Sequence, residues 1–334
     1  MPFSETSHSH LTRLTPLTPL SPLTPLSLLF ALLALTTPLH AQTGLLVVAH
    51  GADSTWNAAV RQTVAQVRWQ GPVAVAFLMG PEAESAGWDA GVRQLVAVHA
   101  SRVVVVPLLI SSSGDHYRQI QHYADQLADM PAGLAAHDHG TTTTAPPVPM
   151  TVTGALDAAS ELGQVLADRW RALEEADRHR AVILIAHGPE TDSEAVHWTE
   201  ALYRFGPALN AAGLRGEYRV GLLRDDAPAP VRAAAIQAMR DTIAALAQRT
   251  GDSVVALPVM IASSPITRTR IPTDIAGLPV RYVATPLAPH AALARWIERV
   301  AAQAERLVTG ACISAAAGTI CCKKWLDDVL LMSR

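Results

Sequence analysis

Lysine is almost missing from this chain. Among 334 residues the only lysines are Lys323 and Lys324, so arginine carries nearly all of the positive charge. Composition bias produces such a pattern. Its functional reading is that guanidinium forks grip carboxylates in bidentate fashion. Cysteine is equally scarce. Cys312, Cys321 and Cys322 all lie beyond residue 308, so the body of the chain uses neither disulfides nor thiolate metal sites. No Gly-Lys-Ser or Gly-Lys-Thr occurs, and His50-Gly51-Ala52 is not a Gly-x-Gly-x-x-Gly turn. A nucleotide cofactor and an ATP-driven mechanism are therefore not expected. The formal charge of -3 offers nothing to a nucleic acid.

What is present is apolar. Hydrophobic residues make up 49% of the chain, enough for two domains of ordinary size. Leu28 to Leu35 forms a short apolar stretch, and Leu39-His40-Ala41 resembles a cleavage site. Residues 1–41 thus read as a secretion signal, with export to the periplasm expected. The apolar stretch is too short to cross a bilayer as a helix.

The chain also repeats itself. Leu45 to Gly51 (LLVVAHG) recurs as Val182 to Gly188 (VILIAHG). Val103 to Ser113 recurs, in the same order, as Val254 to Ser264. Two ordered matches point to a duplicated domain. Apolar runs of strand length alternate with segments of helical spacing in both copies. The expected strands are 45–49, 73–78, 103–109 and 150–153, then 182–186, 218–223, 254–260 and 280–284. The expected helices are 57–69, 90–99, 116–128 and 156–173, then 194–211, 231–249 and 291–307. This is an α/β pattern of two tandem domains, 44–173 and 181–308, each a parallel sheet flanked by helices, with a cleft between them. Residues 131–149, with His137-Asp138-His139, read as an inserted loop, and 309–334 as a tail.

Ligands of open α/β sheets bind at the carboxyl ends of the strands. His50 and His187 end the first strand of each copy, and Ser111 to His116 follows another strand end. Two neutral imidazoles at one sheet edge suit a first-row divalent metal, and they suit proton abstraction near neutral pH.

The order strand-His50-Gly51, then Ala76-Phe77-Leu78, then Pro107-Leu108-Leu109-Ile110-Ser111-Ser112-Ser113-Gly114-Asp115-His116, resembles the sirohydrochlorin cobaltochelatase family. These are class II, ATP-independent tetrapyrrole chelatases, and the pair of copies resembles their long, two-domain form. The resemblance implies insertion of a divalent metal, cobalt first and iron or nickel next, into a carboxylate-rich tetrapyrrole lying between the halves. It implies His50 and His116 as the residues facing metal and pyrrole nitrogens. His116 is matched by Thr267 in the second copy, so one site in copy one is expected, with His187 either contributing from across the cleft or structural. Met79 stands where the family carries a Glu, and Arg224 stands there in copy two. Glu82, or Glu84 beside it, is the candidate substitute ligand. Arg118, Arg268 and Arg270 are candidates to meet the substrate's carboxylates. His290 and its counterpart Asp157 read as helix-start residues. The duplication supplies internally what a one-domain relative needs a partner for, which points to a monomer. The competing expectation is an exported metal- or tetrapyrrole-binding protein without catalysis. A serine hydrolase is disfavoured, because no Gly-x-Ser-x-Gly elbow surrounds Ser111 to Ser113.

Overall fold

The computed structural model describes residues 42–129 and 145–316, of which 308–316 are described as backbone only. The expected leader, the His137-Asp138-His139 stretch, and Cys321 and Cys322 lie outside the described residues. The first half runs β1 (Gln42–Ala49), α1 (Ser54–Val64), β2 (Val73–Phe77), α2 (Ala83–Ala86), α3 (Trp88–Ala97), β3 (Ala100–Leu108), α4 (Asp115–Tyr123), β4 (Met150–Val152), α5 (Ser160–Arg171) and α6 (Glu175–Arg178). The second runs β5 (Val182–Ala186), α7 (Asp192–Tyr203), α8 (Gly206–Ala211), β6 (Tyr218–Leu222), α9 (Ala229–Thr250) and β7 (Val254–Val259). It continues through a π-helical turn (Ile266–Arg270), α10 (Ile271–Asp274), β8 (Val280–Tyr282) and α11 (Ala291–Ala316).

Each half builds one parallel four-stranded sheet. The strand orders are β2-β1-β3-β4 and β6-β5-β7-β8. β1 and β5 are therefore central, paired on both sides, and their near-continuous apolar sequences follow from burial of both faces. The registers end together: Ala49 pairs with Phe77 and Leu108, and Ala186 pairs with Leu222 and Val259. The residue after each central strand, His50 or His187, is thereby delivered to the same sheet edge.

Two expected helices end early for local reasons. The stretch expected as one helix over 194–211 breaks between Tyr203 and Gly206. Pro207 lacks the N–H and would clash inside a helix, so it opens the first turn of α8 instead. Helix α4 stops at Tyr123, before Asp125 turns left-handed at φ 58°. Conversely, α11 continues to Ala316, past the expected domain end at 308.

Alternate residues of the strands feed different cores. Leu46, Val48, Val103 and Val105 face an outer layer with α3 and α4. Ile183, Ile185, Val254 and Ala256 face another with α9. The opposite faces, with Leu45, Val47, Val104 and Val106 from one sheet and Val182, Leu184, Val255 and Leu257 from the other, join one apolar core. The halves are thus cemented together rather than merely tethered. The last helix of the second half, α11, packs on β1, β3, α1 and α5 of the first. Its Leu293, Trp296, Ile297 and Ala301 are wholly buried there. In return α5 packs on α8. Gly163 permits that approach, since a Cβ there would meet the Ala208 Cβ and the Phe205 ring at 3.3 Å. Arg169 of α5 reaches into the second half and donates to the Pro258 carbonyl at 3.2 Å. That carbonyl lies past Ala256, where the pairing with β8 ends.

Trp296→Ala should therefore destabilise both halves together. Truncating a buried aromatic of this size costs about 3–5 kcal/mol. Urea unfolding followed by circular dichroism should show one transition shifted to lower denaturant. Two separate transitions, with only one of them shifted, would contradict the shared core.

Candidate active site

The site begins with a glycine. Gly51 follows β1 with φ 86°, and a Cβ there would fall 2.2 Å from the Met79 carbonyl. Only glycine allows the chain leaving β1 to turn so close to the chain leaving β2. Gly188 repeats the turn with φ 76°. The main chain then locks each histidine. Met79 N–H donates to the His50 carbonyl at 2.9 Å, and Arg224 N–H donates to the His187 carbonyl at 2.6 Å. Asp53 caps α1 by accepting from Trp56 N–H at 2.9 Å, which fixes the indole 6.4 Å from the His50 ring.

His116 arrives from α4, in the turn after β3. Its ring meets that of His50 edge to face, with centroids 4.7 Å apart. Both Nδ1 atoms have acceptors. His50 Nδ1 lies 2.8 Å from the Gly51 carbonyl, and His116 Nδ1 lies 3.2 Å from Gln119 Oε1. Gln119 is buried and is itself oriented by Tyr123, to whose hydroxyl its amide donates at 2.8 Å. Hydrogen bonds of this kind select the Nδ1–H tautomer and leave each Nε2 lone pair available for a metal. Burial holds the imidazoles neutral. Desolvation, reinforced by His116, lowers His50 to about 4, and desolvation also lowers His116.

The serine segment before α4 is anchored by Asp157. Its carboxylate accepts from Ser111 Oγ at 3.1 Å, Ser112 N–H at 2.8 Å and Ser112 Oγ at 2.6 Å. Asp157 is therefore not the expected helix-start residue, since α5 begins three residues later and Ala159 is its N-cap. His290 does serve that role: its Nδ1 accepts from Ala292 N–H at 3.1 Å as α11 begins.

The second half closes over this edge. Trp198 of α7 donates its indole N–H to the Ser113 carbonyl at 2.6 Å. Two ion pairs cross the seam reciprocally. Arg118 of the first half pairs with Glu194 at 2.6 Å, and Arg268 of the second pairs with Asp53 at 2.9 Å. The charges of His187 and Asp226 reach both His50 and His116.

Residues 44–173 match the CbiX family. No curated protein matches the chain. Among solved structures, the chain is similar to SirB from Bacillus subtilis with Fe³⁺, at 14% identity and TM-score 0.54, covering 80% of this chain and 98% of that one. It is also similar to the sirohydrochlorin chelatase SirB from Bacillus subtilis subspecies spizizenii in complex with cobalt, at 15% identity and TM-score 0.51, covering 79% and 96%. At such identities the likeness is one of fold, and it spans both halves.

In the first half the expected carboxylate ligand does not join the histidines. Glu82 accepts from Asn57 Nδ2 at 2.9 Å and pairs with Arg61 at 2.6 Å. These partners hold its carboxyl below the usual range. Among the described residues no group of three or more His, Cys, Asp or Glu is arranged to hold an ion. Met79 is partly buried beside His50 through its backbone, and its side chain carries no oxygen. Nor are the three expected arginines unpaired. Arg118 is shared between Glu194 and Asp115, Arg268 pairs with Asp53, and Arg270 pairs with Asp225 at 3.2 Å. A cavity of about 250 Å³ lies elsewhere, lined by Phe77, Glu84, Trp88, Arg93 and Tyr123 among others. It contains none of the three histidines and is smaller than pockets for drug-sized ligands.

Sequence reasoning missed Asp226. Its only signal was position, two residues after Arg224 at the end of β6.

The His50 ring should titrate near pH 4 by NMR, not near 6.5. It takes up a proton more readily unfolded than folded, so the stability it contributes should fall as pH drops from about 6.5 to about 4. A midpoint at the ordinary value would refute the buried neutral pair. Asp157→Ala should strand Ser111 and Ser112 and cost about 1–3 kcal/mol, read by urea unfolding. Unchanged stability would show that Asp157 does not position the segment.

Proposed function

We propose that this protein inserts a first-row divalent metal, Co²⁺ foremost with Fe²⁺ or Ni²⁺ as further substrates, into a sirohydrochlorin-type tetrapyrrole without consuming nucleotide. The observation that carries this reading is the pair of neutral imidazoles at 4.7 Å, each with its Nδ1 satisfied and its Nε2 lone pair uncommitted. The CbiX match and the SirB-like fold support it. Two nitrogen donors and no closed cage make a weak site. That suits an ion that must be passed on to the four nitrogens of a macrocycle, because a chelatase that gripped its metal tightly would not release it. Residues 1–41, read as an export signal, would take this chemistry to the periplasm.

The macrocycle would meet the histidines at the seam between the halves. Arg118 and Arg268 stand there, each more than a third exposed. The Arg268–Asp53 pair, exposed on both sides, contributes only about 0–1 kcal/mol, so a substrate carboxylate can displace Asp53 at little cost. Glu194 is 13% exposed and keeps the Thr191 hydroxyl at 2.7 Å when Arg118 turns to substrate. Arg270 stays with the buried carboxylate of Asp225, which also accepts from Arg232 at 2.6 Å. It is the least suited of the three to substrate.

The second reading is a metal- or tetrapyrrole-binding protein without catalysis. Met79 and the internally paired arginines favour it. The two are separated by anaerobic absorbance of the protein mixed with sirohydrochlorin and Co²⁺, against a no-protein control. A chelatase converts the free-macrocycle bands faster than the control, and His116→Ala should abolish most of that gain. A band shift on binding, with metallation at the control rate, identifies the binding protein. An active His116→Ala variant would remove His116 from the site.

A further inference from the structure

His116 belongs to the first half, yet part of what holds its neighbours belongs to the second. Within the first half, Asp157 fixes Ser111 and Ser112, and the Tyr117 hydroxyl donates to the Thr153 carbonyl at 3.0 Å. Between these anchors the chain enters α4 through Gly114. This residue has no side chain to cap the helix, and nothing lies within 4 Å of where a Cβ would sit. Helix starts are normally fixed by a capping side chain. Here the entry is gripped from across the seam instead.

Both grips come from α7. The Trp198 indole N–H donates to the Ser113 carbonyl at 2.6 Å, one residue before Gly114. Glu194 accepts from Arg118, two residues after His116, at 2.6 Å, and Arg118 also pairs with Asp115. Glu194 and Trp198 are four residues apart in one helix, so they share a face. That face is itself fixed. Thr191 Oγ accepts from Glu194 N–H at 3.4 Å and donates to the second oxygen of the same carboxylate at 2.7 Å. The arrangement runs one way. Counted from the caps Asp53 and Thr191, the first-half counterpart of Trp198 is Val60, which is fully buried and carries no donor. The turn after β7 carries Thr267 in place of the histidine. The indole grip thus exists only where there is a histidine to hold.

We propose that Trp198 and Glu194 are positioning residues for His116, so that the second half sets the geometry of a metal ligand in the first. The proposal rests on the reading above that His50 and His116 take the metal. The indole fixes the carbonyl three residues before His116, and the Glu194–Arg118 pair fixes the other side of the same turn. The imidazole is then aimed before an ion arrives, and a ligand that needs no reordering binds more tightly. When Arg118 turns to a substrate carboxylate, the Trp198 bond still holds the turn.

The test uses the purified full chain. Co²⁺ alone is titrated anaerobically by calorimetry, and the histidine rings are followed by NMR without metal. Trp198→Phe keeps the aromatic bulk and removes the donor. It should weaken Co²⁺ binding by about 10-fold, the lower end for loss of a group that orients a ligand. Glu194→Gln retains the capping pattern and should weaken binding by about threefold, as loss of a partly exposed ion pair does. It also serves as the second variant should Trp198→Phe fail to fold. In a His116→Ala background Trp198→Phe should change Co²⁺ affinity by less than about twofold, whereas in a His50→Ala background its effect should persist. Without metal, both substitutions should shift the His116 ring resonances and leave those of His290 in place. An equal loss of affinity in the His116→Ala background would make Trp198 a general structural residue and overturn the proposal. So would unchanged affinity in Trp198→Phe, or an unmoved His116 ring. If neither His50→Ala nor His116→Ala weakens Co²⁺ binding, the metal reading fails, and the ring resonances still decide whether the second half holds His116.

Discussion

Burial of the two inner sheet faces in a single apolar core is the interaction on which the site depends. Neither face can be left to water: Leu45, Val47, Val104 and Val106 on one side and Val182, Leu184, Val255 and Leu257 on the other are fully or almost fully buried. Helices α5 and α11 satisfy both at once by crossing between halves. This arrangement fixes the relative position of the sheets and brings their carboxyl edges to one seam. The positions of His50, His116 and His187 at those edges are consequences of that packing.

The seam combines strong and weak elements in a useful way. Its apolar base is rigid. Its rim carries the ion pairs of Arg118 with Glu194 and Arg268 with Asp53, of which the second, exposed on both sides, is worth little by itself. A carboxylate-rich ligand can exchange into them without disturbing the core. The histidines lie between these levels, dry enough to be neutral and close enough to the rim to meet a ligand. In the second half the corresponding position carries a histidine with Asp226 3.6 Å away, and Thr267 stands where the first half has His116. The hydroxyl of Thr267 is spent on the Ser264 backbone, donating to its carbonyl at 2.9 Å. The two halves share a topology but not these side chains.

Much of this was legible in the residues. Strands written as apolar runs can be read without a structure, and Val182–Ala186 was placed to the residue. The His-Gly ending of β1 and β5 was readable too, since a glycine at a strand exit marks a close approach. What could not be read was pairing across long sequence separations. Glu82 looked like a ligand because it lay near Met79 in sequence, yet Asn57 and Arg61, on the helix after β1, had claimed it. Arg118, Arg268 and Arg270 looked like substrate contacts, yet each meets an acid from a distant segment, Glu194, Asp53 or Asp225, and Arg118 also pairs with Asp115 one turn earlier. Asp157 looked like a helix cap by alignment with His290, but the serines after β3 hold it instead. Asp226 gave no signal because its partner, His187, lies 39 residues earlier on another strand.

The central claim is that the first-half imidazoles take the metal through their Nε2 atoms. X-ray absorption spectroscopy of the protein loaded with Co²⁺ tests it most directly. The account predicts two imidazole nitrogens in the cobalt shell, with one lost in His50→Ala and one in His116→Ala, and none lost in His187→Gln. A shell that is unchanged in the His50 and His116 variants, or one that loses its imidazole with His187, would contradict it.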